Sequence, residues 1–156
     1  MINIKPFKEK PGYCGPASLK MIASYYGIKK SEEELAKLCK CTPEKGTSAK
    51  NLIKAAKKIG LEGFIQNNSS ISDIRKYVLK KKIPLIVDWF CEYDGHYTPV
   101  IDINAKNIYL ADGCIGSVRT MNLDKFKRVW FDFLGGYLKS KDDLILRRMI
   151  VLYKKE

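Results

Sequence analysis

The hydrophobic period of the chain changes at Pro84. Upstream of it, apolar residues recur at helical spacing. In PASLKMIASYYG, Leu19, Ile22, Ala23 and Tyr26 follow the i, i+3, i+4, i+7 pattern of one helix face. Pro16 suits the first turn, where a missing N–H costs nothing, and Gly27 stops the helix. Ser31 to Leu38 reads as a second helix, with Ser31 and Glu34 at capping-box spacing. GTSAKNLIKAAKKIG is a third, capped by Thr47 or Ser48, with Leu52, Ala55, Ala56 and Ile59 inward and Gly60 at its end. A short strand is expected at Gly63–Gln66. A fourth helix, SISDIRKYVLKKK, follows with Ile71, Ile74 and Val78 inward. Downstream of Pro84, LIVDWF, YTPVIDI and NIYLAD are rich in β-branched and aromatic residues and read as strands, with a turn at Asn104–Asn107. Leu123–Trp130 reads as a short helix and LRRMIVLYKK as a closing strand. Helices first and strands afterwards predict an α+β fold, an N-terminal helical half packed on a C-terminal antiparallel sheet.

With 156 residues the chain has the length of one ordinary domain, expected to span 1–156. An apolar content of 46% excludes disorder, and no stretch reaches the roughly 18 apolar residues of a membrane span. The N-terminus MINIKPFKEKPGYCG has no apolar segment before a cleavage site, so a cytoplasmic location is expected. The net charge of +12 comes mostly from lysines spread along the chain, with short runs at Lys29–Lys30, Lys57–Lys58 and Lys80–Lys82. These fit solvated helix faces. No aromatic-and-basic RNA signature or helix-turn-helix accompanies them, which argues against nucleic acid as a partner. The five cysteines, an odd number without a secretion signal, point to free thiols. Cys39 and Cys41 lack the spacing of a zinc pair and no second pair follows; Cys91 sits in an apolar run and reads as a packing residue. No metal or cofactor is expected.

Chemistry is suggested by Cys14, just before or at the start of the first helix. There the helix dipole and free N–H groups favour a thiolate and can receive an oxyanion. Gly12 and Gly15 beside it would leave room for a substrate backbone. His96 is the sole histidine of the chain and the one imidazole able to serve such a thiol as base. Asp112 ends the strand after that of His96. Two antiparallel neighbours joined by a turn would bring His96 and Asp112 to the same sheet edge, where a carboxylate orients an imidazole. Asp94 and Asp102 compete for that role.

At these residues the sequence resembles the bacteriocin-processing cysteine peptidases of the C39 type and their stand-alone relatives. YCGPASLKMIASYYG resembles the family's nucleophile helix, and GTSAKNLIKAAKKIGLEG its following segment. KIPLIVDWF, GHYTPVIDI and IYLADG resemble the strands around the histidine and the third triad member. The resemblance covers most of the chain in family order. It implies a papain-like fold and a thiol peptidase acting on a peptide or leader peptide, with Cys14 as nucleophile, His96 as base and Asp112 as orienter. In well-known members this domain precedes an ABC transporter and removes leader peptides after a double glycine; this chain looks like an isolated domain, for which a transporter would be encoded separately. Two positions depart from the family. Its oxyanion glutamine, five or six residues before the cysteine, is replaced by Glu9 and Lys8, and its frequent Asp-Pro is Asp112–Gly113 here. An ionised Glu9 would donate nothing to an oxyanion and is expected to prevail at pH 7, which raises the alternative of a catalytically impaired, peptide-binding domain. The N–H groups around Gly15 remain as donors, and Lys8 could substitute for the amide.

Overall fold

The computed structural model describes residues 1–155. Helix α1 runs Cys14–Tyr25, α2 Glu32–Leu38 and α3 Ala49–Lys58, followed by strand β1 at Leu61–Gln66. Local signals account for their limits. Gly27 takes a φ of +80°, and Ile28 N–H reaches back to the Ala23 carbonyl at 2.8 Å, which closes α1 as a Schellman turn. Ser31 and Glu34 form the expected capping box, and Ser48 rather than Thr47 caps α3. The fourth helix starts as an α-helix, α4 at Ile71–Arg75, and widens to π geometry over Lys76–Lys81. Ile74 and Val78 are buried as expected, and Ile71 is half-buried.

The strands are β2 Leu85–Cys91, β3 Asp94–Ile103, β4 Asn107–Asp112, β5 Ser117–Asn122 and, after helix α5 at Leu123–Val129, the short pair β6 Phe131–Asp132 and β7 Ile145–Leu146. Strand β8, Arg148–Lys154, closes the chain. β1, β8, β2, β3, β4 and β5 lie in that order in one antiparallel sheet. The last strand is thus inserted between the first and second, so the sheet completes only when residues 148–154 arrive. Its sequence MIVL is fully buried there, as a central strand requires.

α1 packs against β3, and α3 against β1 and β8. Leu19, Ile22, Leu52, Leu85, Ile86, Val100, Leu110, Ile150 and Val151 belong to one continuous core. Two polar anchors fix α1 in that core. Tyr26 Oη donates to the Leu152 carbonyl at 3.0 Å, and Ser18 Oγ to the Tyr97 carbonyl at 3.1 Å. Ser18 lies one helical turn beyond Cys14, so the second anchor holds the start of α1 at the His96 end of β3. Among the described residues, no helix is long and apolar enough to cross a membrane.

Candidate active site

Cys14 is the first residue of α1, whose preceding residue, Tyr13, makes no side-chain cap. The N–H groups of Cys14 and Gly15 therefore have no partner within the helix, and Pro16 contributes none. The flanking glycines serve a different purpose from the one their position suggests. Gly12 has a φ of +83°, and a Cβ there would strike the Pro43 backbone; a Cβ on Gly15 would press on Thr47. Both faces are filled by the segment between α2 and α3, so these glycines dock the Cys14 turn onto the protein rather than opening it to a substrate.

His96 is buried near the start of β3, opposite Trp89 of β2. The Trp89 ring meets the imidazole edge-on, with centroids 5.5 Å apart, and its indole N–H is held by Thr98 Oγ1 at 3.0 Å. His96 Nε2 lies 2.7 Å from Asp112 Oδ1, which leaves Nδ1 as the free ring nitrogen. Asp112, fully buried at the end of β4, also accepts from Cys114 N–H onto Oδ1 at 2.9 Å and from Arg119 Nε onto Oδ2 at 2.6 Å. Burial alone would raise its pKa. The bonds from His96 and Arg119, and then the Cys114 N–H, outweigh burial and hold the carboxyl down to about 2. Of the competing aspartates, Asp94 is exposed, and Asp102 accepts from the Ile103 N–H at the far end of β3.

The thiol of Cys14 lies against the Tyr97 backbone N–H, one residue past His96. A helix N-terminus on its own would lower the thiol pKa. Burial instead pushes it up to about 12; the Tyr97 N–H opposes this, and Glu9 and Asp88, where ionised, reinforce it. The resting group is a neutral thiol.

Glu9 sits with His96 and Asp112: one ligand-type atom from each of the three lies within 4.8 Å of the others. Its N–H donates to the Gly113 carbonyl at 2.9 Å, and its Oε1 is buried against Gly113 without a hydrogen-bond partner. A Cβ at residue 113 would overlap that oxygen. The two departures from the family pattern are therefore one packing solution: the carboxyl of Glu9 fits because Gly113 has no side chain. Burial raises the Glu9 pKa to about 7, opposed by His96, reinforced by Asp112 and Glu32, and opposed by Lys8. At pH 7 the neutral and ionised forms are then evenly matched. The expectation that the ionised form prevails at pH 7 gives too little weight to desolvation, which here offsets the basic character of the chain. Lys8 does not point at the thiol; its ammonium donates to the Cys114 carbonyl. It pins the loop after Asp112.

Arg119 escaped the sequence reading. It lies on β5, a polar strand that carries little hydrophobic signal, and its guanidinium also stands 5.7 Å from the Trp89 ring centre.

The sequence profile of the peptidase C39 family matches residues 8–134. The chain belongs to the peptidase C39 family. Among its relatives is an uncharacterized protein of Methanothermobacter marburgensis, 34% identical over 128 residues, covering 79% of this chain and 80% of that protein. Another, from Methanothermobacter thermautotrophicus, is 31% identical over 119 residues, 75% of each chain. The fold is similar to that of the peptidase domain of Streptococcus ComA, a bifunctional ABC transporter involved in quorum sensing (TM-score 0.73, 23% identity, 99% of this chain and 100% of that one). A C39-like protein from Bacillus anthracis superposes with a TM-score of 0.75 at 16% identity, over 100% and 97% of the two chains. A double-glycine-motif protease from an AMS/PCAT transporter, solved with its leader peptide, gives 0.72 at 20% identity, over 99% and 94%. The papain-like α+β fold expected from the sequence is thus the fold of this C39 member.

Proposed function

We propose that this C39 member is a thiol peptidase that cleaves a peptide or leader peptide through Cys14, His96 and Asp112. The observation that carries the reading is the His96–Asp112 contact at 2.7 Å, made beside a thiol that lies on the next backbone N–H of the same strand. In the mechanism, His96 takes the Cys14 proton through the ring nitrogen that Asp112 leaves free, and Sγ attacks the scissile carbonyl. Asp112, ionised at any working pH, fixes the imidazole and stabilises its charged form. The N–H groups at the start of α1 receive the oxyanion, joined by Glu9 when its carboxyl is protonated. His96 then returns the proton to the leaving amine, and water releases the acyl group from the thioester. The double-glycine protease among the structural neighbours makes a peptide cut after Gly-Gly the first substrate to test, and a separately encoded ABC transporter the partner to seek.

The raised thiol and the unpartnered Glu9 carboxyl favour a second reading, in which the domain binds peptides without cutting them. One experiment separates the two. Gly-Gly-containing leader peptides are incubated at pH 6 with the wild type and with Cys14→Ala, and both cleavage and binding are followed. Cleavage by the wild type alone supports the peptidase. Binding by both proteins with cleavage by neither supports the second reading.

A further inference from the structure

Asp88, in β2, is 2% exposed, and neither carboxyl oxygen has a hydrogen-bond partner that carries its own N–H or O–H. The group it faces is the carboxyl of Asp132 in β6. Two carboxyls can bond only with a proton between them, because the ionised forms hold no donor and repel at contact distance. Asp132 in turn is pressed onto Gly95, where a Cβ would overlap its carboxyl group. It is anchored by the Phe133 N–H, which donates to Oδ1 at 2.7 Å. Gly95 immediately precedes His96, while Asp88 pairs across the sheet with Tyr97, which follows it. The two carboxyls therefore bracket His96 along the chain, and the N–H of Tyr97 is the one that touches the Cys14 thiol. Stacking of Phe90 on Phe131 and Phe133, at 5.3 and 5.1 Å, fastens this short strand to β2.

We propose that Asp88 and Asp132 share one proton and, as that pair, hold Gly95 to Tyr97 so that His96 meets Cys14. Asp88 is then a positioning residue for the reaction. The catalytic consequence rests on the Cys14–His96 reading; the shared proton does not. The other titratable groups around Asp88 are Arg148 opposite it on β8, the Tyr97 hydroxyl from β3 and the Cys14 thiol from α1. Arg148 favours an ionised Asp88, but its Nε is committed to Asn67 Oδ1 at 2.8 Å. Burial and then Asp132 prevail and push the Asp88 carboxyl up to about 9.

The sign of the pH dependence follows. The folded-state pKa lies above the unfolded value, so the folded chain keeps a proton that the unfolded chain releases. The stability this provides is complete below about pH 4 and is lost as pH rises toward about 9. Asp88→Asn replaces the shared proton with an amide donor to the Asp132 carboxyl. Thermal unfolding of the full chain from pH 5 to pH 9 should show the variant gaining on the wild type by up to roughly 3–5 °C per pH unit. Should Asp88→Asn not fold, Asp132→Asn, whose amide donates in the other direction, should gain in the same sense but by less, because Asp88 stays buried. The second readout is the ratio of Cys14 alkylation rates in the wild type and in His96→Ala, read by mass spectrometry. It should fall about tenfold between pH 8 and pH 10 in the Asp88 background and not in the Asp88→Asn background. A Tm difference independent of pH overturns the shared proton. A pH-dependent Tm difference with identical alkylation profiles overturns the positioning role. A ratio of one at every pH shows instead that His96 does not serve Cys14, and it leaves the Tm result to decide the proton.

Discussion

Glu9→Gln tests whether the buried carboxyl acts on the chemistry. With its pKa raised to about 7, Glu9 is protonated in about ten molecules of eleven at pH 6, half at pH 7 and about one in eleven at pH 8. On the proposed reading, the protonated form would donate a hydrogen bond to the developing oxyanion, whereas the ionised form would repel it and disfavour the thiolate. Glutamine donates at every pH. If only protonated Glu9 is productive, the variant should exceed the wild type about 11-fold at pH 8, 2-fold at pH 7 and 1.1-fold at pH 6. The assay is the initial rate of cleavage of one Gly-Gly peptide by both proteins in matched buffers. Because every other group of the site is common to both proteins, the other contributions largely cancel in the ratio. Stability should move in the same direction. A carboxyl with a raised folded pKa contributes stability below its unfolded value that is lost as pH rises through about 7, so the Glu9→Gln gain in Tm should grow between pH 5 and pH 8. A rate ratio that stays flat from pH 6 to pH 8, or a variant slower throughout, refutes the role given to Glu9.

Three further outcomes follow from the same contacts. Asp112→Asn leaves the buried side of Arg119 without its counter-charge and should cost about 3–5 kcal/mol in urea unfolding at pH 7, with at least a 100-fold loss of cleavage; a change below about 1 kcal/mol would contradict the pairing. Arg119→Met removes one of the groups holding Asp112 near 2. Since stability from a depressed carboxyl is lost as pH falls through its folded pKa, the acid unfolding midpoint should rise, and an unchanged midpoint would remove Arg119 from the site. Gly113→Ala should destabilise by about 1–3 kcal/mol through overlap with the Glu9 carboxyl, and Glu9→Ala in the same chain should recover most of that loss; additive effects would mean the two residues do not compete for one space.

What could be read from the sequence follows the range over which each signal acts. The limits of α1, α2 and α3 were legible because capping residues and Gly27 act within a turn or two of the backbone they control. His96 stood out because no other imidazole exists in the chain, and Asp112 because a tight turn places the ends of two neighbouring strands together. β5 was missed: in SVRTMN only Met121 is buried, as befits a sheet edge, so neither the strand nor its Arg119 gave a hydrophobic pattern. The widening of the fourth helix to π geometry at Lys76 leaves the inward spacing of Ile74 and Val78 intact and so has no periodic signature. Asp88 carries no sequence signal beyond interrupting an apolar strand. Its meaning lies in Asp132, a residue that reaches it only through the placement of β6.

The same separation between local and tertiary signals explains the state of the nucleophile. A helix N-terminus is visible in the sequence and predicts a lowered thiol pKa; it acts through a few N–H groups, and Pro16 removes one of them. Burial is a property of the whole fold, and here it is larger, so Cys14 rests as a thiol. Ionised carboxyls at positions 9 and 88 would raise it further. Asp88 is kept neutral by the proton it shares, which leaves Glu9 as the neighbouring carboxyl whose charge changes near pH 7. As pH falls from 8 to 6, Glu9 loses its charge and gains a donor, so its opposition to a thiolate at Cys14 drops. On the proposed thiol-peptidase reading, the nucleophile forms during attack, by proton transfer to His96, instead of being held ready beforehand.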